Sequence, residues 1–111
     1  MTRFFVLYNS PVSAAEMMAN ATPEEMQAGM DAWMAWGQRT GDSLVDFGLP
    51  LGSSMHIEGG SASPGSSQAS GYSIVEAESL DTAEKMLEDH PHLQTPGASI
   101  DVLECLPMPG T

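Results

Sequence analysis

Three observations predict an α+β fold of the ferredoxin-like type, in the order β-α-β-β-α-β. The chain opens on an apolar, aromatic run, Arg3 to Tyr8. A dense set of helix-start residues at Thr22 to Glu25 then leads into an apolar stripe of helical period. Finally, the second half repeats the extended–helix–extended succession, at Tyr72 to Ala77, Leu80 to Asp89 and Ala98 to Cys105.

RFFVLY stops at Asn9-Ser10-Pro11, as a strand buried on most sides would. Ser13-Ala14-Ala15-Glu16 fits a capping box, so one or two helical turns are expected to about Ala19. At Thr22-Pro23-Glu24-Glu25, Thr22 is placed to cap, Pro23 sits at the first helical position and Glu25 closes the box. Met26, Met30, Trp33 and Gly37 form the stripe with Met34 beside them, and Met26, Met30 and Trp33 are expected in the core. Trp36 is expected at the stripe's edge, more available to a ligand, and Gly41 as the left-handed cap.

Ser43 to Gly48 reads as a short second strand, turned by Leu49 to Gly52, with Ser53 to Glu58 continuing extended. Gly59 to Gly71 is almost wholly Gly, Ser, Pro, Ala and Gln, and is expected as a mobile loop between two strands rather than a linker. Residues 1–111 are expected to form one domain. Tyr72 to Ala77 is the third strand. Ser79 caps the second long helix, with Leu80, Ala83, Met86 and Leu87 as its apolar stripe and Pro91 ending it. Ala98 to Cys105 is the last strand.

Right-handed crossovers put both helices on one face of a four-stranded antiparallel sheet. The other face then needs explaining, because the strands carry apolar residues of both parities: Phe4 and Phe5, Ile74 and Val75, Val102 and Leu103. Two long helices leave nothing to cover it. A second copy of the chain is the simplest lid, which predicts a homodimer.

Composition narrows the function. Fifteen acidic and three basic residues give a formal net charge of −12. Arg3, Arg39 and Lys85 cannot neutralise the roughly 6–10 phosphates of a typical nucleic-acid binder, and anionic membranes are disfavoured likewise. No stretch approaches the ~18 apolar residues of a membrane span, and the N-terminus lacks the long apolar region of a signal peptide. The single cysteine, Cys105, excludes an internal disulfide, suits a reducing, cytoplasmic setting and is expected to pack.

Several segments resemble the YCII-related family. They are Leu44 to Gly48, Pro50 to Gly52, Gly71 to Ile74, Ala77 to Ala83, and His90 to Leu93 through Ile100 to Val102. Thr22 to Glu25, Gly29 to Trp36 and the tail Pro107 to Gly110 are similar to one branch of it. The resemblance implies a small bacterial protein of the dimeric α+β barrel type: a ferredoxin-like monomer, sheets face to face, and a cavity near the interface. Some members are suggested to be enzymes using a His–Asp pair. The Asp-Gly-Pro-Phe tetrapeptide of the better-known branch is absent here, as is a histidine beside the first strand.

His90-Pro91-His92 sits at a helix end, where the dipole favours imidazolium, and either histidine is a candidate acid or base. The plainer reading is that His90 caps the helix's last carbonyls and His92 packs or faces water. Asp46, within an apolar segment, is the candidate to orient a base; alternatively it points outward, as Asp101 is expected to. Tyr8, Tyr72 and Ser73 offer hydroxyls to a ligand, with Trp36 as an apolar wall, although such hydroxyls more often satisfy local backbone. His56 completes a trio of histidines, but their placement gives no expectation of a metal, and no cofactor is expected. The functions that remain are a homodimer binding a small organic molecule, a dimeric interaction protein, and a cofactor-free acid/base enzyme built on His92 or His90 with Asp46.

Overall fold

The computed structural model describes residues 1–109. Its main sheet has the order β2-β5-β1-β6, with every pair antiparallel. The strands are β1 (Thr2–Asn9), β2 (Leu44–Asp46), β5 (Ala69–Ala77) and β6 (Ser99–Glu104). This is the expected ferredoxin-like order, with helices on one side. The molecule is a slab of 43 × 43 × 20 Å, and its radius of gyration of 15.5 Å exceeds the roughly 13 Å of a compact chain this long.

Side chains alternate strictly along β1. Phe4, Val6 and Tyr8 are buried, while Phe5, Leu7 and Asn9 between them are half-covered. Val75 and Ala77 of β5 join the buried set, with Ile100 and Val102 of β6 packed against it. From above the sheet come Trp36 of α2 (Pro23–Thr40) and Ala83 and Leu87 of α3 (Leu80–Leu87). The opposite face carries Phe5, Leu7, Tyr72, Ile74 and Leu103 with no helix over it. Phe5 and Tyr72 stack there, ring centres 5.6 Å apart and 8° from parallel. Arg3–Glu76 at 3.5 Å and Asn9–Asp101 at 2.8 Å rim the patch.

The helix starts form as the sequence predicts. Ser13 caps the seven-residue α1 (Ala14–Asn20) by accepting the Glu16 N–H. Thr22 and Glu25 close a reciprocal capping box at 3.1 Å each way, and the Thr22 backbone N–H holds the Glu25 carboxyl below its ordinary range. Gly41 (φ 61°) ends α2.

Burial along the helices departs from expectation. Trp36 is 1% exposed, deep in the core rather than at an available edge. Met30 is 58% exposed, and Met26 and Met34 are exposed too. The reason is reach: α2 meets the body in its second half, through Trp33, Trp36 and the Gly41–Ser43 and Pro91–Gln94 turns, while every residue from Pro23 to Ala32 is exposed, so its first half projects. Leu80, expected in the α3 stripe, is 56% exposed because it opens the helix at its rim. Cys105, expected to pack, is exposed just beyond β6.

The Gly/Ser-rich stretch is more structured than one loop. Gly59 and Gly60 both take positive φ (53° and 87°), which lets the chain reverse in two residues. They join β3 (Met55–Glu58) to β4 (Ser61–Pro64) in a two-stranded hairpin whose eight strand residues are all exposed. Ala69 to Gly71 already belong to β5. Gly110 of the resembling tail lies outside the described residues.

Gly48 (φ 83°) leaves β2 so close to β5 that a Cβ there would strike the Tyr72 carbonyl. Gly48→Ala is expected to destabilise the fold by about 3 kcal/mol, combining a strained φ with a backbone collision. Urea unfolding followed by far-UV circular dichroism checks this.

Candidate functional site

The sequence-nominated residues divide between two faces of the sheet. Tyr8, Ser73, Trp36, His90 and His92 are all buried on the helix side. Tyr72 lies half-exposed on the bare side, and Asp46 is exposed at the β2 edge.

β1 and β5 place Tyr8 and Ser73 together. The Tyr8 hydroxyl donates to Ser73 Oγ at 2.8 Å, and Ser73 Oγ donates to the Phe47 carbonyl at 2.7 Å. Burial pushes the Tyr8 phenol up to about 12, against the smaller opposing effect of the Ser73 bond. This hydroxyl pair therefore stays neutral and ties the chain after β2 onto the sheet.

His90 is 1% exposed and enclosed by rings. Its centroid lies 4.4 Å from both Trp33 and Trp36, nearly edge-on to each, and 4.8 Å from Tyr8. His90 closes α3 as the plainer reading expects, but through its backbone: its N–H donates to the Leu87 carbonyl at 3.1 Å. Its imidazole turns the other way, and Nδ1 accepts the His92 N–H at 3.0 Å and caps the short turn Pro91–Gln94 that follows. An acceptor Nδ1 means that the neutral ring carries its proton on Nε2. That Nε2–H has no hydrogen-bond partner among the described residues. His92 Nε2–H donates to the Asn9 carbonyl at 2.8 Å, just where β1 and β5 slip register. Trp36 Nε1–H donates to the Met86 carbonyl at 2.9 Å.

The expectation that a helix end would favour imidazolium at His90 is overturned. Burial, then the neighbouring His92 and Arg39, lower its pKa to about 4, and the nearby Asp89 carboxylate only partly opposes this. Desolvation within three aromatic rings outweighs the dipole.

Asp46 Oδ1 accepts the Gly48 N–H at 2.9 Å, a local turn closure. Among the described residues it forms no hydrogen bond with either histidine. Asp101, expected outward, is exposed and accepts from Asn9. His56 sits on the outlying hairpin, 3.5 Å from Glu58. No group of three or more metal-ligating side chains gathers among the described residues.

A trough runs between α3 and β6, with a cavity volume of about 500 Å³. Leu80, Leu87, Leu93, Ile100 and Val102 form its apolar lining, with Glu84 and Glu88 along one wall. Most of this was not nominated from sequence. The signals were Leu80 and Leu87 two helical turns apart and the alternation Ala98, Ile100, Val102. Trp33, expected in the core from its place in the helical stripe, and Phe47 of the Ser43 to Gly48 segment complete the ring cluster, but neither was nominated for a site.

Comparison with protein-family models gives no match, and comparison with curated proteins gives none. The YCII-related resemblance therefore rests on the motifs quoted above. Among solved structures the chain is similar to 5-chloro-2-hydroxyhydroquinone dehydrochlorinase from Burkholderia phenoliruptrix AC1100, in complex with 2,5-dihydroxybenzoquinone. That match has 16% identity, covers 91% of each chain and has a TM-score of 0.47. No helix among the described residues is long and apolar enough to cross a membrane.

The depressed His90 pKa has a definite sign. The unfolded imidazole titrates near 6.5 and the folded one near 4, so the unfolded chain binds more protons between these values. The stabilisation is complete above 6.5 and is lost as pH falls toward 4. Stability should fall by about 2 kcal/mol from pH 7 to pH 5 through this group. In His90→Leu that component should vanish, leaving a flatter profile. Urea midpoints at the two pH values, with and without the substitution, make the comparison.

Proposed function

We propose that the protein is a homodimer that binds a small, mostly apolar organic molecule. The observation that carries the binding reading is the α3–β6 trough. Its volume of about 500 Å³ lies within the roughly 300–1,000 Å³ of small-molecule sites. Its aliphatic lining favours apolar surface, and Glu84 and Glu88 select neutral or cationic molecules over anions. Nothing favours acid/base chemistry to the same degree: Nδ1 of His90 and Nε2 of His92 are both occupied in backbone hydrogen bonds.

The bare sheet face supports the dimer. Phe5, Leu7, Tyr72, Ile74 and Leu103 form an apolar patch with a polar rim, the composition of an interface core. Turned toward the same patch on a second copy, it makes a self-complementary contact. The trough lies near that contact, because β6 lines it with Ile100 and Val102 while presenting Leu103 on the opposite face. If the dimer alone were the function, the face would pair and the trough would stay empty.

Two measurements separate the parts. Light scattering should give a particle of twice 11.7 kDa, and Phe5→Glu should return it to the mass of one chain. The neutral probe N-phenyl-1-naphthylamine should brighten on binding. Ala98→Phe, which fills the trough, should weaken it by about tenfold or more while leaving the dimer intact. Equal brightening in that variant would remove the trough from the reading.

A further inference from the structure

We propose that the projecting first half of α2, with the exposed α1 preceding it in the chain, docks a basic, amphipathic helix of another protein. This goes beyond the small-molecule reading and does not depend on it.

This arm is apolar where the body gives it no partner. Met17 and Met18 on α1, and Met26, Met30 and Met34 on α2, are all exposed. The last three recur every fourth residue and so form one stripe along α2. Unbranched thioether side chains make an adaptable surface that accepts an apolar helix face without fixed complementarity. None of the α1 residues is buried, and Trp36 alone is buried in α2. A short helix and the overhanging half of a longer one gain little stability without packing, so this surface has a partner's contribution to gain.

Charge identifies the partner. Glu24 and Asp31 lie along one flank of the methionine stripe, and Glu25, whose carboxylate accepts the Thr22 N–H, stands beside Met26 at its N-terminal end, with Glu16 on α1. From Phe4 to Gln38 there is no Lys, Arg or His. An apolar stripe bordered by carboxylates along one side and at its N-terminal end complements a helix with one apolar face and a cationic flank. A second copy of this chain cannot supply it. Its cations are Arg3, Arg39 and Lys85, and its net charge is −12, so two arms repel.

The test uses the full chain labelled with carbon-13 at its methionine methyls. The probe is a short helix-forming Leu/Lys peptide patterned to one apolar face. The controls are a peptide of the same composition in scrambled order and a Leu/Glu peptide of the same pattern. The patterned Leu/Lys peptide is expected to shift the Met26, Met30 and Met34 methyls saturably and to leave Met55 unmoved. Added salt should weaken this binding. The double substitution Met26→Gln, Met30→Gln is expected to lower affinity about tenfold with helix content by circular dichroism unchanged. Three results would overturn the proposal. Equal binding of the scrambled peptide reduces it to unpatterned charge attraction. Unchanged affinity in the double variant places the contact elsewhere. Concentration-dependent shifts of the arm methyls without peptide show that a second copy already covers the stripe.

Discussion

Trp36 is the point on which the upper layer depends. Its indole fills the space between sheet, α2 and α3, and its Nε1–H holds the Met86 carbonyl, so one side chain fixes one helix to the other. It also forms one wall of the enclosure around His90, whose Nδ1 in turn organises the Pro91–Gln94 turn. Anchoring α2 near its C-terminal end, rather than along its length, is what leaves the first half of the helix projecting. The slab shape, the neutral buried imidazole and the overhanging arm are therefore consequences of one packing arrangement.

The ring cluster is polar chemistry turned inward. Tyr8, Ser73, His90 and His92 bring hydroxyls and imidazoles into a space with little water, and nearly every such group is satisfied: hydroxyl to hydroxyl, hydroxyl to carbonyl, ring nitrogen to backbone. Such a network specifies one arrangement of the strands and turns it joins. Among the described residues the buried side-chain atom left without a partner is His90 Nε2, which costs stability, while burial of the ring keeps it uncharged at neutral pH.

Local rules made the framework legible. The Thr22–Glu25 box, the Gly41 cap, the RFFVLY run and the order of strands follow from capping, backbone freedom and periodicity, and those signals lie within a few residues of one another. The two parities of apolar residue along the strands also pointed to a sheet with a second apolar face that neither long helix covers. What could not be read locally was distance from the body. Met30 and Trp33 share a helical stripe, yet only the latter reaches the sheet, because the overhang depends on where β2 and the Pro91–Gln94 turn lie. For the same reason Trp36 looked peripheral and proved central. Two adjacent glycines, an ordinary mark of a loop, made a hairpin because both adopt left-handed backbone.

β6 is an edge strand, paired only with β1, and its outer backbone groups are open to another strand. Asp101 and Glu104 stand exposed along it, so a neighbour adding there in register would bring carboxylate against carboxylate. At the other edge, β2 offers only three residues to extend. Both edges of the sheet are thus guarded against sideways growth into a filament, by charge at β6 and by shortness at β2, while the apolar face is not.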